Sequence, residues 1–114
     1  MKIEDIVEVL NARVICGNDK LETEIRFAFA SDLMSDVLTI DVDHLILITG
    51  MANLQVLRTA EMVDIFCIVF VRDKKVTPEM RRIAEENQIV LLESPFSMFR
   101  AVSALHDCGM LPVY

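Results

Sequence analysis

Two aspartates, Asp32 and Asp36, stand four residues apart in a stretch that is predicted to form a short helix. A helix places residues four apart on one face, and paired carboxylates there can bind Mg²⁺ or take part in acid–base chemistry. The same pattern also fits a solvated helix face behind an N-cap formed by Ser31 and Asp32. Both interpretations stay open, and no other spacing in the chain predicts a metal site.

Five residues at or just beyond the carboxyl ends of three predicted strands are candidates for ligand contacts. Ligands of open parallel sheets favour the carboxyl ends of strands, where the N-termini of helices present backbone N–H groups. A phosphate or carboxylate bound there would contact Thr49, Gly50, Asn53, Arg72 and Ser94. The same residues also suit ordinary turns and helix caps. The turn after Thr49 contains a single glycine, so it is neither a GxGxxG motif nor a P-loop.

No arrangement of residues predicts catalysis or a cofactor. Neither histidine belongs to a metal-spacing motif, and no Ser/His/Asp or Cys/His set can be assembled. The one concentration of basic residues, within residues 72–82, can attract an anionic ligand. However, Glu85 and Glu86 stand four residues after Arg81 and Arg82, a spacing that favours surface ion pairs. An enzyme is therefore the weaker of the functional classes.

Composition limits the kinds of partner. The net charge is −7, and residues 1–43 carry four basic against ten acidic side chains. Without a basic stripe this balance repels phosphate backbones, so nucleic-acid binding is not expected. Hydrophobic residues make up 54% of the chain. A small domain has much surface for its volume, so we predict that part of this excess forms a face through which two copies associate.

The cysteines and the apolar runs indicate a compartment. Cys16, Cys67 and Cys108 are odd in number and form no CxxC, so neither disulfides nor zinc are predicted. Cys67 lies within an apolar strand and is expected to act as a small hydrophobe. Free thiols favour the reducing cytoplasm. No signal-peptide core is found, and no apolar run reaches the ~18 residues that a membrane span needs, so no membrane association is expected.

The elements that position these residues follow from the hydrophobic pattern. Buried strands are predicted at residues 45–50, 66–71 and 89–92, with starts 21 and 23 residues apart and a helix after each. This order is that of a βαβαβα unit with a parallel sheet. With shorter strands at residues 12–16 and 25–30, it predicts a three-layer α/β fold with a mainly parallel sheet of about five strands.

The chain is predicted to be one domain over residues 1–114. Residues 1–24 hold an N-terminal helix and a short strand, residues 25–109 form the core, and residues 110–114 form an apolar tail.

Four local patterns predict where helices begin and end. Asn53 and the pairs Thr77-Pro78 and Ser94-Pro95 are typical of helix starts. Asn87 is expected to end a helix in the left-handed conformation.

The order of these segments resembles the DRTGG domain family over about residues 25–109. The matching stretches are Phe29-Ala-Ser-Asp-Leu-Met-Ser-Asp-Val, Leu45-Ile-Leu-Ile-Thr-Gly, Phe66-Cys-Ile-Val-Phe-Val, Thr77-Pro-Glu-Met, Ile89-Val-Leu-Leu and Ser97-Met-Phe. The motif that names the family should follow the central strand, where this chain reads Gly50-Met-Ala-Asn-Leu instead. The role of that motif is therefore not carried over to these positions.

The resemblance implies a regulatory or assembly role. Such domains are similar to the N-terminal domain of HPr kinase/phosphorylase, which lacks the catalytic P-loop. They also occur beside phosphotransacetylase and between CBS domains in regulated pyrophosphatases, where they contribute to dimer contacts. Freestanding short members resemble bacterial accessory proteins.

We therefore predict a non-catalytic cytoplasmic module that homodimerises and senses a small anionic ligand such as a nucleotide. One alternative is an accessory protein or minor enzyme of phosphoryl transfer that uses Asp32 and Asp36 with Mg²⁺. The other is a pure protein–protein adaptor that binds a kinase or a metabolic enzyme through its apolar tail.

Overall fold

A computed structural model describes residues 1–114 and contains five α-helices and six β-strands. The helices are α1 (Ile3–Val9), α2 (Met34–Val37), α3 (Leu54–Met62), α4 (Pro78–Glu86) and α5 (Met98–Asp107). The strands are β1 (Arg13–Cys16), β2 (Phe27–Ala30), β3 (Leu45–Thr49), β4 (Cys67–Phe70), β5 (Val90–Glu93) and β6 (Leu111–Pro112). None of the helices combines the length and the apolar character that crossing a membrane requires.

The strands form one sheet in the order β1–β5–β4–β3–β2–β6. Strands β2 to β5 run parallel, β6 is parallel to β2, and only β1 is antiparallel to its neighbour β5. The predicted α/β class with a mainly parallel sheet is confirmed. The sheet has six strands rather than about five, because Leu111 and Pro112 of the predicted tail pair with Phe27 and Ala28.

Both faces of the sheet are buried, because its central strands are apolar at nearly every position. On one face, side chains such as Leu47 and Phe70 pack against α2, α3 and α4. On the other face, side chains such as Ile48 and Val69 pack against α1 and α5. Each fully buried side chain of this size contributes about 1.5–3 kcal/mol. These two hydrophobic cores give the three layers that the sequence predicts.

Two of the predicted helix starts are confirmed by their hydrogen bonds. The Asn53 side-chain oxygen accepts from the Val56 N–H at 3.2 Å at the start of α3. The Thr77 hydroxyl oxygen accepts from the Met80 N–H at 3.2 Å, and Pro78 is the first residue of α4. Both caps satisfy N–H groups that have no partner within the helix.

Two other predicted helix starts are wrong. Helix α2 begins after Leu33 without a side-chain cap, so Asp32 is free to bond elsewhere. Helix α5 begins after Ser97, whose hydroxyl oxygen caps it, and Ser94 lies outside the helix. In both cases the side chain predicted to cap the helix lies one to three residues before the actual N-cap residue. It bonds instead to a partner far away in the sequence, which the local pattern does not reveal.

The left-handed residue predicted at Asn87 lies one position later. Asn87 itself has a φ of −104°, whereas Gln88 has a φ of 57°. The Asn87 side-chain N–H donates to the Ile83 carbonyl at 2.9 Å, which also accepts from the backbone N–H of Asn87 at 3.1 Å at the end of α4.

All three cysteines are free. Cys16 and Cys67 are buried and Cys108 is exposed. Desolvation raises the pKa of the Cys67 thiol, and it is also the main cause of the raised pKa of Cys16. The prediction that Cys67 acts as a small buried hydrophobe is confirmed.

Candidate functional site

Asp32 closes the turn that follows β3. Its Oδ1 accepts hydrogen bonds from the Thr49 hydroxyl at 2.9 Å and from the Gly50 N–H at 2.7 Å. The Thr49 hydroxyl oxygen in turn accepts from the Met51 N–H at 3.2 Å, and Thr49 is fully buried. The Thr49 hydroxyl and the Gly50 N–H, both predicted ligand contacts, therefore already have partners within the protein.

The side chain of Arg72 lies against this turn. A Cβ atom on Gly50 would lie 2.8 Å from Arg72 Nη2 and 2.9 Å from Nε, so only a glycine lets the guanidinium come so close. Arg72 has a left-handed backbone with a φ of 59°, and its N–H donates to the Phe96 carbonyl at 2.7 Å. These features hold Arg72 just beyond the end of β4, beside the end of β3.

The guanidinium of Arg72 has no anionic partner in the protein. It takes part in none of the ion pairs, and the residue is exposed. By contrast, Arg81 pairs with Glu85 at 3.6 Å and Arg82 with Glu86 at 2.9 Å, which confirms the predicted surface pairing. Arg72 thus stands apart from the solvated pairs of α4.

Asn53 keeps a hydrogen-bond donor at the same edge. Its side-chain oxygen is used to cap α3, but its side-chain NH₂ donates to no acceptor in the protein. The residue is exposed and lies three positions after Gly50. Of the predicted ligand contacts, Arg72 and Asn53 are therefore the two with free N–H donors.

Ser94 has a structural role. Its hydroxyl donates to the Leu10 carbonyl at 2.7 Å and accepts from the Phe96 N–H at 3.2 Å. The residue is only 1% exposed. Ser94 therefore links the end of β5 to the end of α1, and its hydroxyl already has a donor and an acceptor within the protein.

Asp32 and Asp36 do not share a helix face. Helix α2 begins at Met34, so Asp32 precedes it, and the Asp32 carboxylate is directed to Thr49 and Gly50. Asp36 is exposed. No three or more His, Cys, Asp or Glu side chains come close enough together to hold a metal ion.

The sequence patterns do not single out Glu93, which ends β5. Glu93 is 5% exposed, and its Oε2 accepts a hydrogen bond from the Val76 N–H at 2.7 Å. A charged residue directly after the apolar residues 89–92 is the signal that marks it. A carboxylate there lies where the strand leaves the core, at the same end of the sheet as Arg72.

An apolar groove lies between β2, β6 and α5 on the other side of the sheet from α3. We call it the β2–α5 groove and define it by Ala28, Ala30, Val102 and Leu111. Val102 is 39% exposed and Leu111 is 53% exposed, and no Asp, Glu, Lys or Arg lines the groove. Part of the excess hydrophobicity that the composition shows therefore lies on this surface.

Comparison with known proteins adds a family and a fold. The model of the DRTGG domain matches residues 5–108 of this chain, and no curated protein matches its sequence. A similar solved structure is that of the CBS and DRTGG domains of the regulatory region of Clostridium perfringens pyrophosphatase, complexed with the activator diadenosine tetraphosphate. The two are 12% identical with a TM-score of 0.72, over 91% of this chain and 45% of that one. This chain thus spans less than half of that structure, with which it shares a fold.

Proposed function

The chain belongs to the DRTGG domain family, and on that basis we propose that it binds a small anionic ligand, such as a nucleotide, and acts as a homodimer. Membership makes it a regulatory domain rather than an enzyme. The observation that carries the ligand proposal is the unpaired guanidinium of Arg72, held against Gly50 at the carboxyl edge of the sheet.

Arg72 suits an anion for reasons of charge and geometry. The guanidinium is always charged and presents planar N–H donors that match phosphate and carboxylate oxygens. Although the chain as a whole has a net charge of −7, Arg72 lies in its one concentration of basic residues and has no carboxylate partner, so it leaves a local positive site. The free NH₂ of Asn53 adds a second donor, and α3 begins directly after it, so the positive end of the helix dipole faces the same edge.

A nucleotide is the first ligand class to test. The regulatory region of the pyrophosphatase, which shares the fold, forms a complex with diadenosine tetraphosphate. Phosphate groups are the part of such a ligand that a guanidinium recognises best. The proposal for this chain is accordingly a phosphate contact at Arg72, and it does not specify the base of the nucleotide.

The β2–α5 groove supports the homodimer part of the proposal. Apolar side chains such as Val102 and Leu111 are exposed there without a charged residue among them. Contiguous exposed apolar surface commonly marks a contact with another protein, because burying it against a second copy removes it from water. Leu111 and Tyr114 are both exposed, and Tyr114 is 86% exposed. They favour a second candidate function, that of an adaptor that binds another protein through the same surface.

The phosphoryl-transfer alternative loses its basis in the contacts of Asp32. The Asp32 carboxylate holds Thr49 and Gly50 and precedes α2, whereas Asp36 lies on α2 and is exposed. A binding function needs neither residue.

Calorimetry with a panel of ATP, AMP, diadenosine tetraphosphate and inorganic phosphate tests the ligand proposal. We expect at least one of them to bind, with affinity reduced at least tenfold by Arg72→Ala. Arg58→Ala is the matched control, because Arg58 is also exposed and forms no ion pair but lies on α3 away from the turn. A ligand at 100 times its dissociation constant should also raise the free energy of unfolding by about 2.7 kcal/mol. A flat panel, or equal losses in both variants, would contradict the proposal.

A further inference from the structure

Glu93 is a buried carboxylate with one oxygen bonded and one free. Oε2 accepts from the Val76 N–H at 2.7 Å, while no donor of the protein lies within hydrogen-bond distance and geometry of Oε1. The side chain is only 6% exposed. Glu93 Oε1 is the only buried side-chain oxygen or nitrogen of the chain without a hydrogen-bond partner. Such groups are rare in folded proteins and call for an explanation, because burying an acceptor without a donor is costly.

The charge of Glu93 is already balanced. Arg13 Nη2 lies 3.9 Å and Lys75 Nζ lies 3.8 Å from Oε1, near enough for ion pairing but too far for hydrogen bonds. The side chains of Arg13 and Lys75 are 74% and 60% exposed. Oε1 therefore lacks a hydrogen-bond donor rather than a countercharge.

These residues line one polar pocket. Its walls are Asn11, Arg13, Asp73, Lys75, Glu93 and Pro95, none of which is hydrophobic apart from the proline ring. They come from the paired strands β1 and β5, from the residues next to these strands, and from the segment between β4 and α4, which supplies Asp73 and Lys75. The pocket uses none of the residues of the site at Arg72.

The unbonded acceptor and the two cations specify the chemistry of a ligand. A neutral O–H donor supplies the missing hydrogen bond to Oε1, whereas an ammonium group would compete with Lys75 and Arg13 for the carboxylate. Lys75 Nζ also donates to Asp73 Oδ1 at 2.9 Å, so its charge is shared between two carboxylates. Arg13 is largely exposed and has no carboxylate partner besides Glu93, so it is the cation placed to receive an anionic group on the same molecule. Carboxylates at the carboxyl ends of parallel strands bind sugar hydroxyls in other nucleotide-binding folds.

We propose that this pocket binds a phosphorylated sugar, with a sugar hydroxyl donating to Glu93 Oε1 and the phosphate pairing with Arg13. The sugar phosphate is either free or the ribose part of a nucleotide, since both present the same groups. The proposal does not depend on the anion contact at Arg72, because different residues carry the two sites.

Calorimetry on the full chain tests the proposal with ribose 5-phosphate, AMP, 2′,3′-dideoxy-AMP and inorganic phosphate. Ribose 5-phosphate and AMP distinguish the free sugar phosphate from the nucleotide, and dideoxy-AMP keeps the phosphate but loses the hydroxyls. We expect one of the first two to bind at least tenfold more tightly than dideoxy-AMP and inorganic phosphate.

Glu93→Gln is the decisive variant. Glutamine keeps an oxygen for the Val76 N–H but puts an NH₂ donor in the place of the free acceptor, so the preference for the hydroxyl-bearing ligand should disappear. Glu61→Gln, at an exposed position of α3 without an ion pair, is the matched control and should behave as wild type. Arg13→Ala removes a largely exposed side chain and should weaken the same ligand even if Glu93→Gln folds poorly.

Three results would overturn the proposal: no binding of any of these compounds to the wild-type chain, no preference over dideoxy-AMP, or an unchanged preference in Glu93→Gln and unchanged affinity in Arg13→Ala. Binding that is lost in Arg72→Ala but retained in Glu93→Gln would leave the proposed anion site standing and remove this one.

Discussion

The guanidinium of Arg72 occupies the space that a side chain at Gly50 would need, with Nη2 only 2.8 Å from the position of a Cβ there. The contact joins the turn after β3 to the residue beyond β4. The predicted starts of these two strands are 21 residues apart in the sequence, but the strands are neighbours in the sheet. It explains a glycine in this turn without a phosphate-binding loop.

Gly50→Ala is expected to displace Arg72 and weaken the binding of anions while hardly changing stability. The side chain of Arg72 is exposed and flexible, so it can move away from the new methyl group at little cost. We expect the free energy of unfolding to change by less than about 0.5 kcal/mol, as for most surface substitutions. Urea denaturation measures the stability, and calorimetry should show the loss of affinity found for Arg72→Ala.

Gly17→Ala provides the contrast for that experiment. Gly17 has a φ of +92°, and a Cβ there would lie 2.9 Å from the backbone Cα of Val90, which cannot move as a side-chain tip can. A left-handed backbone alone costs an alanine about 1–2 kcal/mol, so Gly17→Ala should destabilise the fold by at least that amount. A Gly50→Ala variant as unstable as Gly17→Ala would contradict the displacement of Arg72.

Asp32→Ala is expected to destabilise the fold by about 1–2 kcal/mol, because the buried Thr49 hydroxyl and the Gly50 N–H lose their acceptor. Asp36→Ala, at an exposed position, should stay within about 0.5 kcal/mol of wild type. Chemical denaturation of both variants measures the difference. Calorimetry with Mg²⁺ should show no heat for wild type, and a magnesium signal that Asp32→Ala abolishes would restore the metal interpretation.

Leu111→Asp is expected to dissociate the proposed dimer. The residue is 53% exposed at the β2–α5 groove, so a carboxylate there is solvated in the monomer but buried without a partner in the dimer. Sedimentation velocity should give about twice the chain mass of 12.9 kDa for wild type and the single mass for the variant. Met62→Asp, at a 72% exposed position of α3 on the other side of the sheet, is the control and should remain dimeric. A wild-type monomer at micromolar concentration would count against the dimer.

The thiols should differ in reactivity because burial raises the pKa of Cys67 and Cys16. A thiol reagent at pH 8 should react rapidly with the exposed Cys108 and with the other two only after denaturation. Rapid labelling of Cys67 in the native protein would contradict its burial.

The raised pKa values also give a pH dependence. A buried thiol stays protonated in the folded chain, while in the unfolded chain it ionises near its ordinary value of about 8.5. The unfolded state therefore binds fewer protons above this pH, and the free energy of unfolding should fall as the pH rises further. Denaturation between pH 8 and 10 should show this decrease, and a smaller decrease in Cys67→Ala.

The sequence alone determined the layers of the fold and two of its helix caps. Runs such as residues 45–49 are apolar at every position but the last, which is the requirement for a strand buried on both faces, and the residues that show it are neighbours in the chain. Asn53 and Thr77 cap their helices through N–H groups three residues away, so a local pattern is enough to predict them.

Only the tertiary structure decided what the polar side chains do at the carboxyl edge. Asp32 bonds to residues 17 and 18 positions away, and Ser94 bonds to Leu10 84 positions away. The free guanidinium of Arg72 and the half-bonded carboxylate of Glu93 depend likewise on which strands lie side by side. A local pattern identifies a donor or an acceptor, but its partner is set by which parts of the chain meet in the fold. Here the fold gives Thr49, Gly50 and Ser94 partners within the protein and leaves the guanidinium of Arg72 and Oε1 of Glu93 without a hydrogen-bond partner.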